Sequence, residues 1–484
     1  MAGCGHDDPV TRACRHLLER EQPHHLHFVG RGIESELICA ACITTPSETI
    51  DGVLIAVCAG CRDRAAGDSL EGIIGEPELR ELPGTVRFEH RRVASPDFVE
   101  LQPIVDGERA RWLGVTRDGA LQRWEADQPA TRPIARLPDA VDPANPITMR
   151  ISRDGRIAAI ANRRGLSAIV IDVETGDLIR TVARDGYQNE HCNYSLAFLE
   201  RGGQTLLVHA PAWNRLDVID ARTGALVTER QPTSYARDEE RPEHYLDYFH
   251  GELAVSPGDR MVADGGWVWA PVGVVAAWSL DRWLDDNVWE SEDGPSRRAL
   301  CWRDYFWDGP MCWLDDQHLA VWGFGTDDQH LIAAVRVFDA TTGEERSWFP
   351  GPRGELMCDR VLISLDAAHG TSLWDVARGG RIAHDPTPFV RYHPGAKLFV
   401  TLPVDGELVV GRPCGLEAGA PWATAQVVEV ARAIARDRSF DELPVLGDAL
   451  EIAGCSDPAV LAHCRHPGPH GDRCWVIDRL LPDP

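Results

Sequence analysis

Two tight cysteine pairs, Cys39-x2-Cys42 and Cys58-x2-Cys61, carry the most specific chemistry in the chain. Each pair can present two sulfurs to one ion, and four thiolates at this spacing suit tetrahedral zinc at about 2.3 Å. Such a site has no open position, so its zinc would hold structure and activate no water. The competing reading is a set of reduced thiols or a redox pair, but the strand-to-helix setting of a redox CxxC is not read around it. Upstream, Cys4, His6, Cys14 and His16 form a second candidate quartet, giving one or two structural zinc ions. His24, His25 and His27 read as filler. In the tail, Cys455, Cys464, His470 and Cys474 are a possible third set. Their spacing fits no standard finger, and small buried cysteines in a compact helical cap are the favoured explanation.

A second chemistry is aromatic and acidic. Trp289, Trp302, Tyr305, Phe306, Trp307 and Trp313 fall in one stretch that also carries Asp, Gly and Pro, which no continuous strand or helix core tolerates. With its neighbours it defines a candidate partner-binding set: Tyr245, Asp247, Tyr248, Trp267 and Trp269, followed by Trp289, Asp304, Tyr305, Trp307 and Asp308. Aromatic faces beside carboxylates suit cations and basic peptides, through cation–π contact and charge pairing. The alternative is that long loops need a small core of their own, with Trp278, Trp302 and Trp313 packed beside strands. For catalysis, His191, His244, His250, Asp247 and Asp304 are the groups that could converge. No spacing demands it, so no catalytic residue is assigned. The chain has no glycine-rich phosphate loop, no G-x-S-x-G elbow and no HExxH motif.

The elements that must position these residues repeat. VIDVETGDLI from Val170, VIDARTGALV from Val218, VFDATTGEER from Val337 and LWDVARGGRI from Leu373 share a strand end, an Asp, a turn closed by Gly and another strand. Weaker copies extend the register to Glu125, Asp172, Asp220, Ser279, Asp339, Asp375 and Gly411. Each unit reads as four short antiparallel strands, a to d, and seven such units predict a seven-bladed β-propeller. The last unit lacks a fourth strand, and TVRFEHRRV (85–93) is expected to supply it and close the ring. In that geometry the b-to-c and d-to-a connections share one face. Two long segments, Pro232–Gly251 and Leu284–Met311, are both expected to be d-to-a connections on that face, over blades three to five.

The domain reading is a Cys/His-rich zinc module (1–68), a linker (69–84), the propeller (85–413) and a helical C-terminal module (414–484). Asp441 and Asp457 are expected helix N-caps and Gly454 a C-terminal residue. The formal net charge is −26, which repels phosphate backbones and argues against nucleic acid. No apolar run approaches the roughly 20 residues that span a bilayer, and the N-terminus has no apolar leader region. The expectation is a cytoplasmic protein with neither membrane nor nucleic acid as partner.

The run DGGWVWAPVGVVAAWSLDRWL through RVFDATTGEERSWFPGP resembles uncharacterised bacterial WD-repeat-like propeller proteins. The WD dipeptide keeps its register position only at Trp374–Asp375. LPVLGDALEIAGCSDPAVLAHCRHPGPHGDRCWVIDRLL resembles a short C-terminal module found with repeat-companion proteins. CRHLLE followed by CAAC and CAGC resembles small bacterial Cys/His-rich zinc proteins. These resemblances imply a fold and no activity. The expectation is a non-enzymatic scaffold that presents an acidic, aromatic propeller face to a basic protein or peptide. The alternative is a propeller hydrolase or oxidoreductase with a metal or quinone in its central channel.

Overall fold

The computed structural model describes residues 79–82 and 86–481, apart from short gaps at 106, 108, 233–234, 236–239, 270, 326, 329–330, 415–421, 423, 456–457 and 466–473. It also describes the backbone of four strands before residue 58. Those four strands, Thr11–Cys14, Leu26–Val29, Glu36–Cys39 and Leu54–Val57, form one sheet, with Thr11–Cys14 between Glu36–Cys39 and Leu54–Val57.

Seven further sheets follow around a ring, making a seven-bladed β-propeller. The second blade shows why these residues become strands. Its four strands are Ile147–Ile151, Ile157–Asn162, Ser167–Asp172 and Leu178–Ala183, all antiparallel. In strand b, IAAIAN, the two-residue period sends Ala158 and Ile160 into a core shared with Leu113 and Val115 of blade one. Ile157, Ala159 and Ala161 enter a second core with Leu196 and Leu207 of blade three. Both faces of the strand are therefore dry, and the run is almost wholly apolar instead of alternating. Fully burying each Leu or Ile contributes about 1.5–3 kcal/mol, which an isolated blade could not obtain on both faces.

The repeated Asp closes the hairpin between strands c and d. Asp172 Oδ1 accepts from the backbone N–H groups of Glu174 and Thr175, and Asp220 and Asp339 do the same in their units. Gly176 takes φ +82° there, and a Cβ would lie 2.2 Å from the Ile134 carbonyl oxygen. The turn therefore needs glycine twice over.

The seventh blade is built from Arg391–His393, Leu398–Val400 and Glu407–Cys414, with Arg87–Ala94 as its outer strand. The last sheet thus borrows its fourth strand from the segment just before blade one, as the sequence indicated, which covers that edge. Residues 79–82 run beside the outer strand of blade six, Gly380–Asp385, with Leu82 N–H donating to the Arg381 carbonyl and Arg381 N–H to that of Arg80.

Blade three departs from the expected four strands. Only Leu196–Arg201, Gln204–Ala212 and Arg215–Asp220 pair as a sheet. Blade four then runs Phe249–Val255, Met261–Val268, Val272–Ser279 and Arg298–Asp304. The second long segment is consequently not one d-to-a connection. Half of it, residues 284–297, lies between strands c and d of blade four, where short helices form at Leu280–Asp285 and Glu290–Asp293, and residues 305–310 alone make the d-to-a connection.

The second compact unit is a set of helices at Ala425–Asp437, Leu443–Ile452, Pro458–Arg465 and Trp475–Leu480. Val427, Ile434, Leu446, Leu450, Val460 and Ile477 form its core. Thr424 caps the first helix, accepting from Val427 N–H. Asp441 is not a cap; it lies in a 3-10 turn, and Glu442 precedes the second helix. Gly454, at φ +91°, follows that helix as expected, and Asp457 lies outside the described residues. Among the described residues, no helix is long and apolar enough to cross a membrane.

Candidate functional site

Phe249, the first residue of strand a in blade four, is the hub of the aromatic face. Its ring stacks on Trp267 at 4.0 Å between centroids and lies 4.3 Å from Trp213, 5.5 Å from Trp269 and 5.8 Å from Tyr187. Trp213 touches Tyr245, Tyr245 touches Tyr235, and Trp267 stacks on Trp307 at 5.2 Å. Backbone hydrogen bonds fix the loops that carry these rings. His250 N–H donates to the Trp213 carbonyl, Tyr305 N–H to that of Pro271 and Asp308 N–H to that of Gly265. Trp307 Nε1–H donates to the His191 carbonyl. The b-to-c and d-to-a connections of blades three and four therefore form one surface, bringing Tyr245, Trp267, Trp269 and Trp307 together.

Burial sorts this set. Phe249 and Trp267 are buried, while Tyr187, Trp269 and Tyr305 are 48%, 50% and 44% exposed. Tyr248 does not face the surface. It is 2% exposed, and its hydroxyl donates toward the Asp264 and Val274 carbonyls and accepts from Gly266 N–H. Burial pushes its phenol well above the usual range. Trp289 belongs elsewhere too, stacking on His244 at 4.5 Å with Arg230 over its ring. Trp278 and Trp313 are buried beside strands as the packing alternative holds, whereas Trp302 is 38% exposed.

The acidic members differ among themselves. Asp247 is exposed next to Tyr245, whose phenol is raised by burial and then by that carboxylate. Asp304 is half-buried at the end of strand d, where its carbonyl accepts from Asp328 N–H. Asp308 turns inward. Its carboxylate accepts from the backbone N–H groups of Asn193 and Glu252, at 2.8 and 2.7 Å. Burial pushes its acid up to about 7 despite those donors. Gly251 makes the approach possible, because a Cβ there would meet Asp308 Oδ1 at 2.4 Å. Asp308 is thus a latch between loop and strand.

The helical insertion of blade four does what the missing strand of blade three would do. Arg230, 1% exposed, pairs with Asp217 of strand c in blade three at 3.0 Å and with Glu292 of the insertion at 2.5 Å. Leu280 and Trp283 of the insertion enter the core that holds Leu216 and Val218. Trp289 serves this edge and not the aromatic face.

The central channel, about 790 Å3, is lined by innermost strands from all seven blades. Its charged side chains are largely mutually engaged: Arg391 with Glu100 at 2.6 Å, Arg150 with Glu252, and Asn193 with Glu252 at 3.2 Å. Burial, then Arg391, lowers Arg150 to about 10. The histidines considered for catalysis do not converge. His191 is exposed beside Glu190, His244 pairs with Asp293, and His250 is buried against Asp264 at 2.5 Å. Neighbouring Cys192 is pushed up to about 12 by burial, so it is no thiolate nucleophile.

Of the metal candidates, Cys14 and Cys39 each end a described strand. Their side chains, and Cys4, His6, His16, Cys42, Cys58 and Cys61 entirely, lie outside the described residues. Cys455, Cys464 and Cys474 are all buried in the helical core, and His463 Nε2 lies 3.4 Å from Cys474 Sγ. His470 lies outside the described residues. Among the described residues no three His, Cys, Asp or Glu side chains gather as metal ligands.

Phe249, Tyr187, Trp213 and Tyr235 complete the site beyond the chosen set. Phe249 was hidden because a Phe opening a strand looks like core, and its role as hub depends on contacts across three connections. No family model and no curated protein matches the chain.

Proposed function

We propose that the aromatic surface of blades three and four docks an arginine- or lysine-bearing segment of a protein partner, and that the chain works as a binding scaffold. A propeller is a rigid disc compatible with protein interaction, and its long connections are where such sites form. The single observation that carries the reading is the chain's own Arg241. Its guanidinium sits 4.4 Å over the Tyr245 ring, an exposed arginine resting on this surface. Exposed Tyr187, Trp269 and Tyr305 offer further ring faces, Asp247 adds a carboxylate, and the chain's net charge of −26 favours a cationic partner.

The test uses a fluorescein-labelled arginine-rich peptide and anisotropy at physiological salt. Bulk charge alone would attract any polycation, so the deciding variants keep the charge unchanged. Trp269→Ala combined with Tyr187→Ala should weaken binding about tenfold or more, at roughly 0.5–1 kcal/mol per exposed cation–π contact plus lost apolar cover. Equal affinity for the double variant and the parent would refute the reading.

A further inference from the structure

Arginines lie over aromatic rings at several places in the chain, and they divide by how they are held. Arg184, Arg230, Arg297, Arg303, Arg336 and Arg381 each also donate a hydrogen bond to a backbone carbonyl or a carboxylate. Their guanidiniums are fixed parts of the framework. Arg241 is different. Its guanidinium sits 4.4 Å over the Tyr245 ring and, among the described residues, has no carbonyl or carboxylate partner. The side chain is exposed, and the ring alone holds it.

The local sequence RPEHY (241–245) builds this contact. Pro242 restricts the backbone of Arg241 to extended conformations. A turn follows, in which Tyr245 N–H donates to the Pro242 carbonyl at 3.2 Å, and it brings the ring back to the arginine. Tyr235 stands edge-on to that ring at 5.2 Å and Trp213 at 6.4 Å, with the exposed Asp247 two residues on. Ring faces, a nearby carboxylate and access from solvent are what a guanidinium subsite requires.

We infer that Tyr245 is the partner's arginine subsite and that Arg241 is an internal stand-in, displaced when the partner's guanidinium docks. The role of Arg241 rests on the docking reading proposed above and adds its regulation. An exposed cation–π contact favours the occupied arrangement about two- to fivefold, so the ring is open in roughly one molecule in three to six. Self-occupancy therefore lowers the apparent affinity for a partner about three- to sixfold. A lone arginine gains little over Arg241, whereas a segment that also engages Tyr187 or Trp269 offsets the displacement.

The test is anisotropy titration of full chains with a fluorescein-labelled arginine-rich peptide. Arg241→Gln should raise affinity about three- to sixfold. Arg282→Gln, at an exposed position on the helical insertion of blade four, removes the same charge away from the rings and should change affinity less than about twofold. In a Tyr245→Leu chain, which keeps apolar cover and loses the ring face, adding Arg241→Gln should do no more than Arg282→Gln does. An Arg241→Gln chain that binds no more tightly than the parent, or gains only as much as Arg282→Gln, would overturn the internal stand-in and leave the docking role standing. Equal gains with and without the Tyr245 ring would have the same meaning. Failure of parent and Arg241→Gln chains alike to bind the peptide would remove the docking role itself, and the stand-in with it.

Discussion

Replacing Arg230 by Met tests whether the helical insertion of blade four is the cover for the incomplete edge of blade three. Arg230 and Glu292 are each 1% exposed, so their pair is shielded from solvent. Asp217 keeps Arg215 at 2.8 Å when Arg230 is lost, but among the described residues Glu292 retains only the Ser291 hydroxyl. An uncompensated buried carboxylate costs about 3–5 kcal/mol, and that is the expected loss for Arg230→Met. Glu292→Leu should cost less, about 1–3 kcal/mol, because Arg230 still donates to Asp217 and to the Leu216 and Thr228 carbonyls. The double variant should recover most of the loss, since apolar groups of similar volume replace a buried pair at little cost. Urea unfolding followed by tryptophan fluorescence gives the three shifts, and the cycle gives a coupling energy of at least about 3 kcal/mol. Additive single effects, or an Arg230→Met loss below about 1 kcal/mol, would mean that the insertion merely lies on the edge.

Tyr248→Phe removes a hydroxyl with three buried partners. It should cost about 1–3 kcal/mol in urea unfolding while leaving arginine-peptide affinity unchanged; weaker peptide binding without lost stability would place Tyr248 in the site after all. Asp308 has its acid raised from 3.8 to about 7, so the folded chain holds a proton that the unfolded chain has released. Stability should therefore fall as pH rises from about 4 to about 7, by up to about 4 kcal/mol, and then level off. Asp308→Asn, tested by unfolding at pH 5 and pH 8, should remove that part of the slope while lowering stability at both. Removing residues 1–95 takes away the outer strand of blade seven. Size-exclusion chromatography should then show association through the open edge, whereas a chain starting at residue 79 stays as the parent does.

The blades were readable because a propeller strand buries both faces, so near-continuous apolar runs such as IAAIAN alternate with turns whose Asp and Gly have fixed tasks. The closing strand was readable by subtraction: one unit lacked a strand and one strand lacked a unit. The insertion was not, because spacing between register positions counts extra residues without saying which connection holds them. A signal was nevertheless present at Ser279. Where hairpin turns at Asp172, Asp220 and Asp339 carry Asp, Ser279 instead caps a helix, its hydroxyl accepting from Arg282 N–H at 3.2 Å. A Ser at the register position followed by LDRWL marks a helix start, which puts the extra residues between strands c and d. The aromatic set was readable as a gathering and not as a sorting. Trp267 and Trp269 share a side of one strand end, yet only Trp267 lies under the Phe249 ring, and nothing in DGGWVWAPVG records that ring.

That sorting bears on how so small a surface could bind at all. Phe249 and Trp267, stacked at 4.0 Å and buried, form a floor against which Trp269 stands nearly perpendicular, at 89° to Phe249 and 81° to Trp267. Trp213 and Tyr187 lean on the same floor from the neighbouring blade. Trp269 and Tyr187 therefore each have their rotamer set by a buried ring, and the loop backbones beneath are tied by hydrogen bonds between connections. An exposed aromatic held this way has already lost the side-chain freedom that docking would otherwise remove, roughly 0.5–1.5 kcal/mol per ring. The packing and binding readings of these residues are thus not rivals. The buried half of the cluster is what allows the exposed half to receive a guanidinium without rearranging, and a variant that loosens the floor, such as Phe249→Leu, should weaken peptide binding although residue 249 itself is never touched by the partner.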